Sequence, residues 1–245
     1  MICLRVLVFA AHKDDETIGM GGTIYKHAQR GDEVSVIILT AGGASPGTLG
    51  LETNPKEVIE IRSKEAREAC KVLGVKNIEF LTFKDPFLSL NEDTCSEVTK
   101  VIRRHKPDRI YTLHGESAID EHDNLEHTNT HRIVSRSVHM AMRAEYPELG
   151  KEPWNTKEAF AYELTNMVPM RRPTSYVDIT DVIERKLEAI RKYESQGASS
   201  LCETVKGFNR WRWTNIWSFS LTSSYQTAEA GYAEAFTAIR MFDIL

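Results

Sequence analysis

Apolar residues along this chain alternate between two rhythms. Short unbroken runs rich in β-branched residues, "RVLVFAA" (5–11), "DEVSVIILTAGG" (32–43), "IEFLTF" (78–83) and "DRIYTL" (108–113), read as buried strands. Between them, apolar positions recur at helical spacing. "ETIGMGGTIYKHAQRG" reads as a helix stopped near Gly31, and "PKEVIEIRSKEAREACKVLGV" (55–75) as an amphipathic helix closed by Gly74. "NEDTCSEVTKVIRRHK" (91–106) has an acidic start and a basic end, the order that the helix dipole favours. Residues 44–55, with Pro, Gly, Ser and Asn, read as a loop.

The second half is less regular. "KEAFAYEL" and "TSYVDIT" read as strands, and "DVIERKLEAIRKYESQ" as a helix capped by Thr180 or Asp181. "GYAEAFTAIRMF" reads as a terminal helix, and residues 144–156 carry the weakest signal. Repeated strand–helix alternation predicts an α/β chain with crossover units. The expected fold is a Rossmann-like three-layer arrangement with a mostly parallel sheet and helices on both faces. The expected organisation is a single domain over 1–245, with a Rossmann-like half (1–143) and an irregular C-terminal elaboration (144–245). Such sheets carry their functional groups in the loops beyond the strand carboxyl ends, which selects residues 11–17, 41–55, 83–90 and 114–131.

The 245 residues are 41% hydrophobic and 27% charged, an ordinary soluble composition, and the formal charge of −4 argues against nucleic acid as a partner. No apolar run approaches the length of a membrane span, and no signal peptide is read. The four cysteines form no CxxC motif and read as free thiols, so the expected location is cytoplasmic.

Two of the selected loops carry unusual chemistry. The first, "AAHKDDETIGMGG", crowds three carboxylates into one turn. Asp14, Asp15 and Glu16 could simply decorate a helix N-terminus. A dinucleotide turn is disfavoured, because carboxylates stand where a pyrophosphate would sit. The sharper reading is a divalent-metal site: His12 and Asp15 can aim a nitrogen and an oxygen at one point, as zinc prefers, leaving Asp14 to act on water. The second loop, residues 113–134, holds His114, His122, His127 and His131 with Asp120, Glu121, Asp123 and Glu126, which is half of the eight histidines. A third ligand from this segment is expected. His27, His105 and His139 sit in predicted helices and read as structural. "NRWRWTNIW" (209–217) reads as packing or subunit contact, or as a cleft wall, and Arg171 and Arg172 as solvated.

These segments resemble, in order, the signature of the LmbE-like (PIG-L) zinc-dependent N-deacetylases, which act on N-acetylglucosamine-type substrates. "AAHKDDETIGMGGTI" is similar to the family's AHPDDE…GGT, "IRSKEAREACKVLGV" to its R-x-x-E-x-x-x-A…LGV helix, and "PDRIYTLHG…HTNTHRIVSRSV" to its P-D-x-V-x-T-H…D-H-R-x-V segment. "YVDITDVIERKLEAIRKYESQ" and "YAEAFTAIR" resemble its C-terminal elements. The resemblance implies a Zn²⁺ held by His12, Asp15 and His131, Asp14 as general base, and Arg62 in contact with substrate. Asp85 matches a frequent family aspartate of unassigned role. It also implies an N-acetylated sugar or glycoconjugate as substrate and a homo-oligomer, trimer or hexamer.

Two departures stand out. Lys13 replaces the usual proline, and "TNTH" stands where many members have H-P-D-H or N-x-D-H. The general-acid role then falls to His127 or His114, and His127 becomes a rival third ligand. The alternatives are an amidase or esterase on another acyl group, or a non-catalytic sugar- or metal-binding relative.

Overall fold

The computed structural model describes residues 3–115, 125–150, 152–165, 173–218 and 230–239. In chain order the elements are β1 (Arg5–Ala10), α1 (Asp15–Gln29), β2 (Glu33–Thr40), α2 (Pro55–Val72), β3 (Asn77–Phe83), α3 (Glu92–His105), β4 (Arg109–Leu113), α4 (Leu125–Ala141), β5 (Glu158–Tyr162), β6 (Ser175–Asp178), α5 (Ile183–Ile190), α6 (Ala198–Ser218) and β7 (Ala233–Ala238). They form one sheet of order β3-β2-β1-β4-β5-β7-β6. The first five strands in this order are parallel, and β7 runs antiparallel to both β5 and β6.

β1 explains the layering. Its side chains alternate in direction, and both faces are buried. Val6, Val8 and Ala10 pack with Met20 and Ile24 of α1 and with Ala66, Ala69 and Cys70 of α2. Leu7 and Phe9 pack with Val98 and Ile102 of α3 and with Ile133 and Val138 of α4. The expected α/β fold with helices on both faces is what the chain adopts.

The glycines of "GMGG" serve packing. A Cβ on Gly19 would lie 2.4 Å from the Tyr162 ring and 2.8 Å from the Glu163 carbonyl oxygen, and one on Gly22 would lie 2.6 Å from Ile179. These residues let α1 close onto β5 and onto the segment after β6.

Two elements differ from expectation. "AEAFTA" is the strand β7, not a terminal helix. Its residues 233–236 are all buried between β5 and β6. An alanine-rich stretch favours helix by intrinsic propensity, and tertiary pairing overrides that preference here. Thr180–Val182 forms a 3₁₀ turn before α5, and the α5 N-cap, Val182, makes no side-chain capping bond. "NRWRWTNIW" lies within α6, where Arg212 is buried in an ion pair with Glu163 and Trp211 is exposed. Arg171 and Arg172 lie outside the described residues.

Candidate active site

The site is built at the carboxyl end of the sheet. β1 ends at Ala10, and α1 begins at Asp15 after four residues of turn (11–14). Asp14 is the N-cap, at φ 142°, a conformation that costs a non-glycine residue strain. Its carbonyl accepts from the Thr17 and Ile18 amides, both at 2.9 Å. Asp15 Oδ2 accepts the His12 amide at 2.8 Å, which folds the turn back on itself. α4 (Leu125–Ala141) brings His127 to the same turn from across the sheet.

Three donor groups converge there. His12 Nδ1 lies 3.2 Å from His127 Nε2, His127 Nε2 lies 3.3 Å from Asp15 Oδ1, and His12 Nδ1 lies 3.7 Å from Asp15 Oδ2. Four tetrahedral ligands at zinc distances stand about 3.3–3.6 Å apart. The triangle therefore fits one small divalent ion, and the N, N, O donor set suits zinc and its neighbours. His12 Nε2 faces Asp85 Oδ1 at 3.6 Å, and the Ala44 amide donates to Asp85 Oδ2 at 3.2 Å. A carboxylate behind the ring of a ligating histidine fixes its orientation. Glu126 joins His12 and Asp85 in a second grouping, with ligand atoms within 4.8 Å of one another.

His131 stands one turn further along α4. Four helical residues span about 6 Å along the axis, and its Nδ1 lies 2.8 Å from the Leu113 carbonyl oxygen. The structure thus brings His127 to His12 and Asp15, and holds His131 against the end of β4. The sequence places Glu126 in the second loop without a role, although a signal for one exists. "NLEH" (124–127) fits N-x-D-H with Glu for Asp, four residues before the "TNTH" that drew attention. His114 follows β4 directly and is buried, its amide donating to Tyr162. His122, Asp120, Glu121 and Asp123 lie outside the described residues. His27 is structural, held between Asp32 and the Tyr111 hydroxyl.

The electrostatics follow from burial of many charges in a small volume. Burial, and then Asp15 and Glu16, push the Asp14 carboxyl well above the usual range, against the opposing pull of His12 and Arg62. Burial opposes ionisation of Asp15 too, but His127 and His12 outweigh it and hold the carboxyl low. Burial disfavours the His12 imidazolium, yet Asp15 and Asp85 lift its pKa to about 10. Burial raises Glu16, whose Oε1 accepts from Thr17 and Tyr193, both at 2.8 Å. Burial and the charge of Arg62 bring Lys13 down to about 8.

Arg62, on α2, donates through Nη2 to Gln196 at 2.7 Å, while its buried Nε has no partner. Lys13 donates to the Ala41 carbonyl and has no carboxylate within ion-pair distance among the described residues.

Comparison with known proteins decides the family. The model of the PIG-L family, GlcNAc-PI de-N-acetylase, matches residues 7–138. The chain belongs to the PIG-L family. Over 84% of its length it is 31% identical to the diacetylchitobiose deacetylase of Thermococcus kodakarensis, covering 75% of that protein. Among solved structures, the N,N'-diacetylchitobiose deacetylase of Pyrococcus horikoshii is 28% identical with a TM-score of 0.78, over 96% of this PIG-L chain and 83% of that one. GalB, the 4-carboxy-2-hydroxymuconate hydratase of Pseudomonas putida KT2440, is 25% identical with a TM-score of 0.80, over 99% and 100%. Among the described residues, no helix of this PIG-L protein is long and apolar enough to cross a membrane.

Proposed function

We propose that this protein is a zinc-dependent hydrolase that removes the N-acetyl group from an N-acetylglucosamine-type sugar or glycoconjugate, giving acetate and a free amino sugar. The single observation that carries the reading is the triangle of His12, Asp15 and His127 beside the strained N-cap Asp14. The deacetylases of Thermococcus kodakarensis and Pyrococcus horikoshii support the substrate class.

His12, Asp15 and His127 would hold the ion. When bound, it supplies Lewis acidity toward the acyl carbonyl. Asp14 takes the proton of the attacking water, and a carboxyl lifted toward working pH suits a general base. With His127 in the ligand triangle, the leaving amine is protonated by His114, buried at the end of β4. Asp85 steadies the His12 ring, and Arg62 meets the sugar. The four free thiols support a reducing, cytoplasmic compartment, and the family resemblance supports a homo-oligomer of three or six copies.

The experiment is acetate release from a panel of N-acetyl sugars, with zinc and after chelation. Zinc-dependent acetate from at least one sugar is expected; none from any would overturn the reading. A second reading has its own support. The GalB likeness spans nearly the whole chain, and Lys13 departs from the family proline. On that reading the same centre adds water across a carbon–carbon double bond of an unsaturated acid. Loss of diene absorbance without acetate release would favour it.

A further inference from the structure

Residues 193–196, a turn between α5 and α6, tie three parts of the chain together. The Tyr193 hydroxyl donates to Glu16 Oε1 at 2.8 Å, one residue beyond Asp15. The Glu194 carbonyl accepts from the Thr48 hydroxyl at 3.1 Å, in the loop after β2. The Ser195 amide and hydroxyl donate to the two carboxylate oxygens of Glu65 on α2, at 2.8 and 2.6 Å. Gln196 Oε1 accepts from Arg62 Nη2 at 2.7 Å, three residues earlier on the same helix. The loop lies close against the turn. A Cβ on Gly47 would stand 2.2 Å from the Ser195 carbonyl oxygen, and the φ of +60° there also favours glycine.

The turn is fixed without help from Gln196. Tyr193 and Ser195 are buried, and Ser195 occupies both oxygens of Glu65. Gln196 is thus offered to Arg62 from a rigid seat. The arginine is a long side chain drawn in three directions. Asp14, Glu65 and Asp85 all attract its guanidinium, but among the described residues its one hydrogen bond is to Gln196. Hydrogen bonds to charged groups are stronger than neutral ones. An amide oxygen orients the planar fork without cancelling its charge, and the other N–H groups of the fork then point in set directions.

We propose that Gln196 is a positioning residue for substrate binding, fixing the plane of the Arg62 guanidinium so that Arg62 meets the sugar in one orientation. The identity of the sugar rests on the deacetylase reading; the clamp on Arg62 does not. The rival is a structural role for Gln196 within the turn, which predicts lost stability with no link to Arg62.

The test is a double-mutant cycle on the zinc-loaded protein, using the N-acetyl sugar that releases most acetate. Gln196→Leu removes the acceptor at similar volume, and Gln196→Ala gives the same comparison if the Leu variant folds poorly. Gln196→Leu should raise KM about tenfold and change kcat less than about twofold, with zinc stoichiometry unchanged. In an Arg62→Met background the same substitution should lower kcat/KM by less than about twofold, because the two act as one unit. Losses that add in full, or a fall in kcat at unchanged KM, would overturn the role. A second readout needs no substrate. In arginine-labelled protein, the guanidinium signal missing from Arg62→Met identifies Arg62. Its NMR line shapes should show hindered rotation in the wild type and free rotation in Gln196→Leu; equal rotation in both would overturn the clamp. The two readouts also separate the two ideas. A guanidinium held by Gln196, without acetate from any sugar, would sink the deacetylase reading and leave the clamp standing. Acetate release with a freely rotating Arg62 in the wild type would do the reverse.

Discussion

Two clusters of buried charge lie along α1, and they are built on opposite principles. Behind the second half of the helix, Lys186 and Glu234 are almost wholly enclosed, at 0% and 1% exposure. Lys186 donates to Glu234 at 2.7 Å and to Asn209 at 3.0 Å. The Gly22 and Thr23 amides also donate to Glu234, at 2.9 and 2.8 Å, and Asn209 donates onward to the Ala233 carbonyl. Each of these groups has at least one hydrogen-bond partner. At the start of the helix the reverse holds: two imidazole nitrogens and a carboxylate face one another at 3.2–3.7 Å. The first cluster is complete as it stands, whereas the second has the form of a ligand set. Burial and charge alone do not separate structure from function; the match of donors to acceptors does.

The largest effect expected from breaking this contrast is at Asp14. Asp14→Asn should keep one equivalent of zinc and lower kcat by about 10²–10⁴, the usual reach of a general base. Acetate release together with metal analysis checks it, and wild-type turnover would remove Asp14 from the reaction. Next comes the complete cluster. Lys186→Met leaves Glu234 buried without its counter-ion and should cost about 3–5 kcal/mol in denaturant unfolding. His12→Ala in metal-free protein should cost less, because His127 remains beside Asp15. Equal losses from the two variants would erase the distinction.

Smaller again is Gly19→Ala. Its Cβ would press on Tyr162 and the Glu163 carbonyl, and overpacking of that kind costs about 1–3 kcal/mol.

The smallest effect concerns pH. Burial depresses the His27 pKa below the usual histidine value of 6.5. Burial acts on Asp32 in the opposite sense, but Arg30 and His27 outweigh it and depress that pKa below 3.8. A depressed folded-state pKa means that the unfolded chain binds more protons. The stabilisation is present above the unfolded values and is lost as pH falls through the folded ones. The melting temperature should therefore decline as pH drops below about 6.5, and His27→Gln should flatten the first part of that decline.

Much of this was legible in the sequence for a physical reason. β1, β2 and β4 are buried on both faces, so they are written as continuous apolar runs. α2 and α3 show amphipathic periodicity, and the structure adds side-chain caps at Asn54 and Asn91. The acidic turn was legible because clustered carboxylates are costly unless something compensates them. β7 was not legible, because "AEAFTA" lacks the β-branched residues that mark a strand, and its pairing partners lie far away in sequence. The choice between His127 and His131 stays open on helical spacing alone, and only the fit of "NLEH" (124–127) to N-x-D-H favours His127 in the sequence. Both histidines lie on one face of α4, and only the packing of that helix against the sheet determines which of them meets the turn after β1.

The central claim is that His12, Asp15 and His127 share one ion. It is tested most directly by zinc stoichiometry after reconstitution and dialysis of the wild-type protein, His127→Ala and His131→Ala. The account predicts one equivalent in the wild type and in His131→Ala, and none in His127→Ala. A full equivalent retained by His127→Ala, or zinc lost only from His131→Ala, would contradict it.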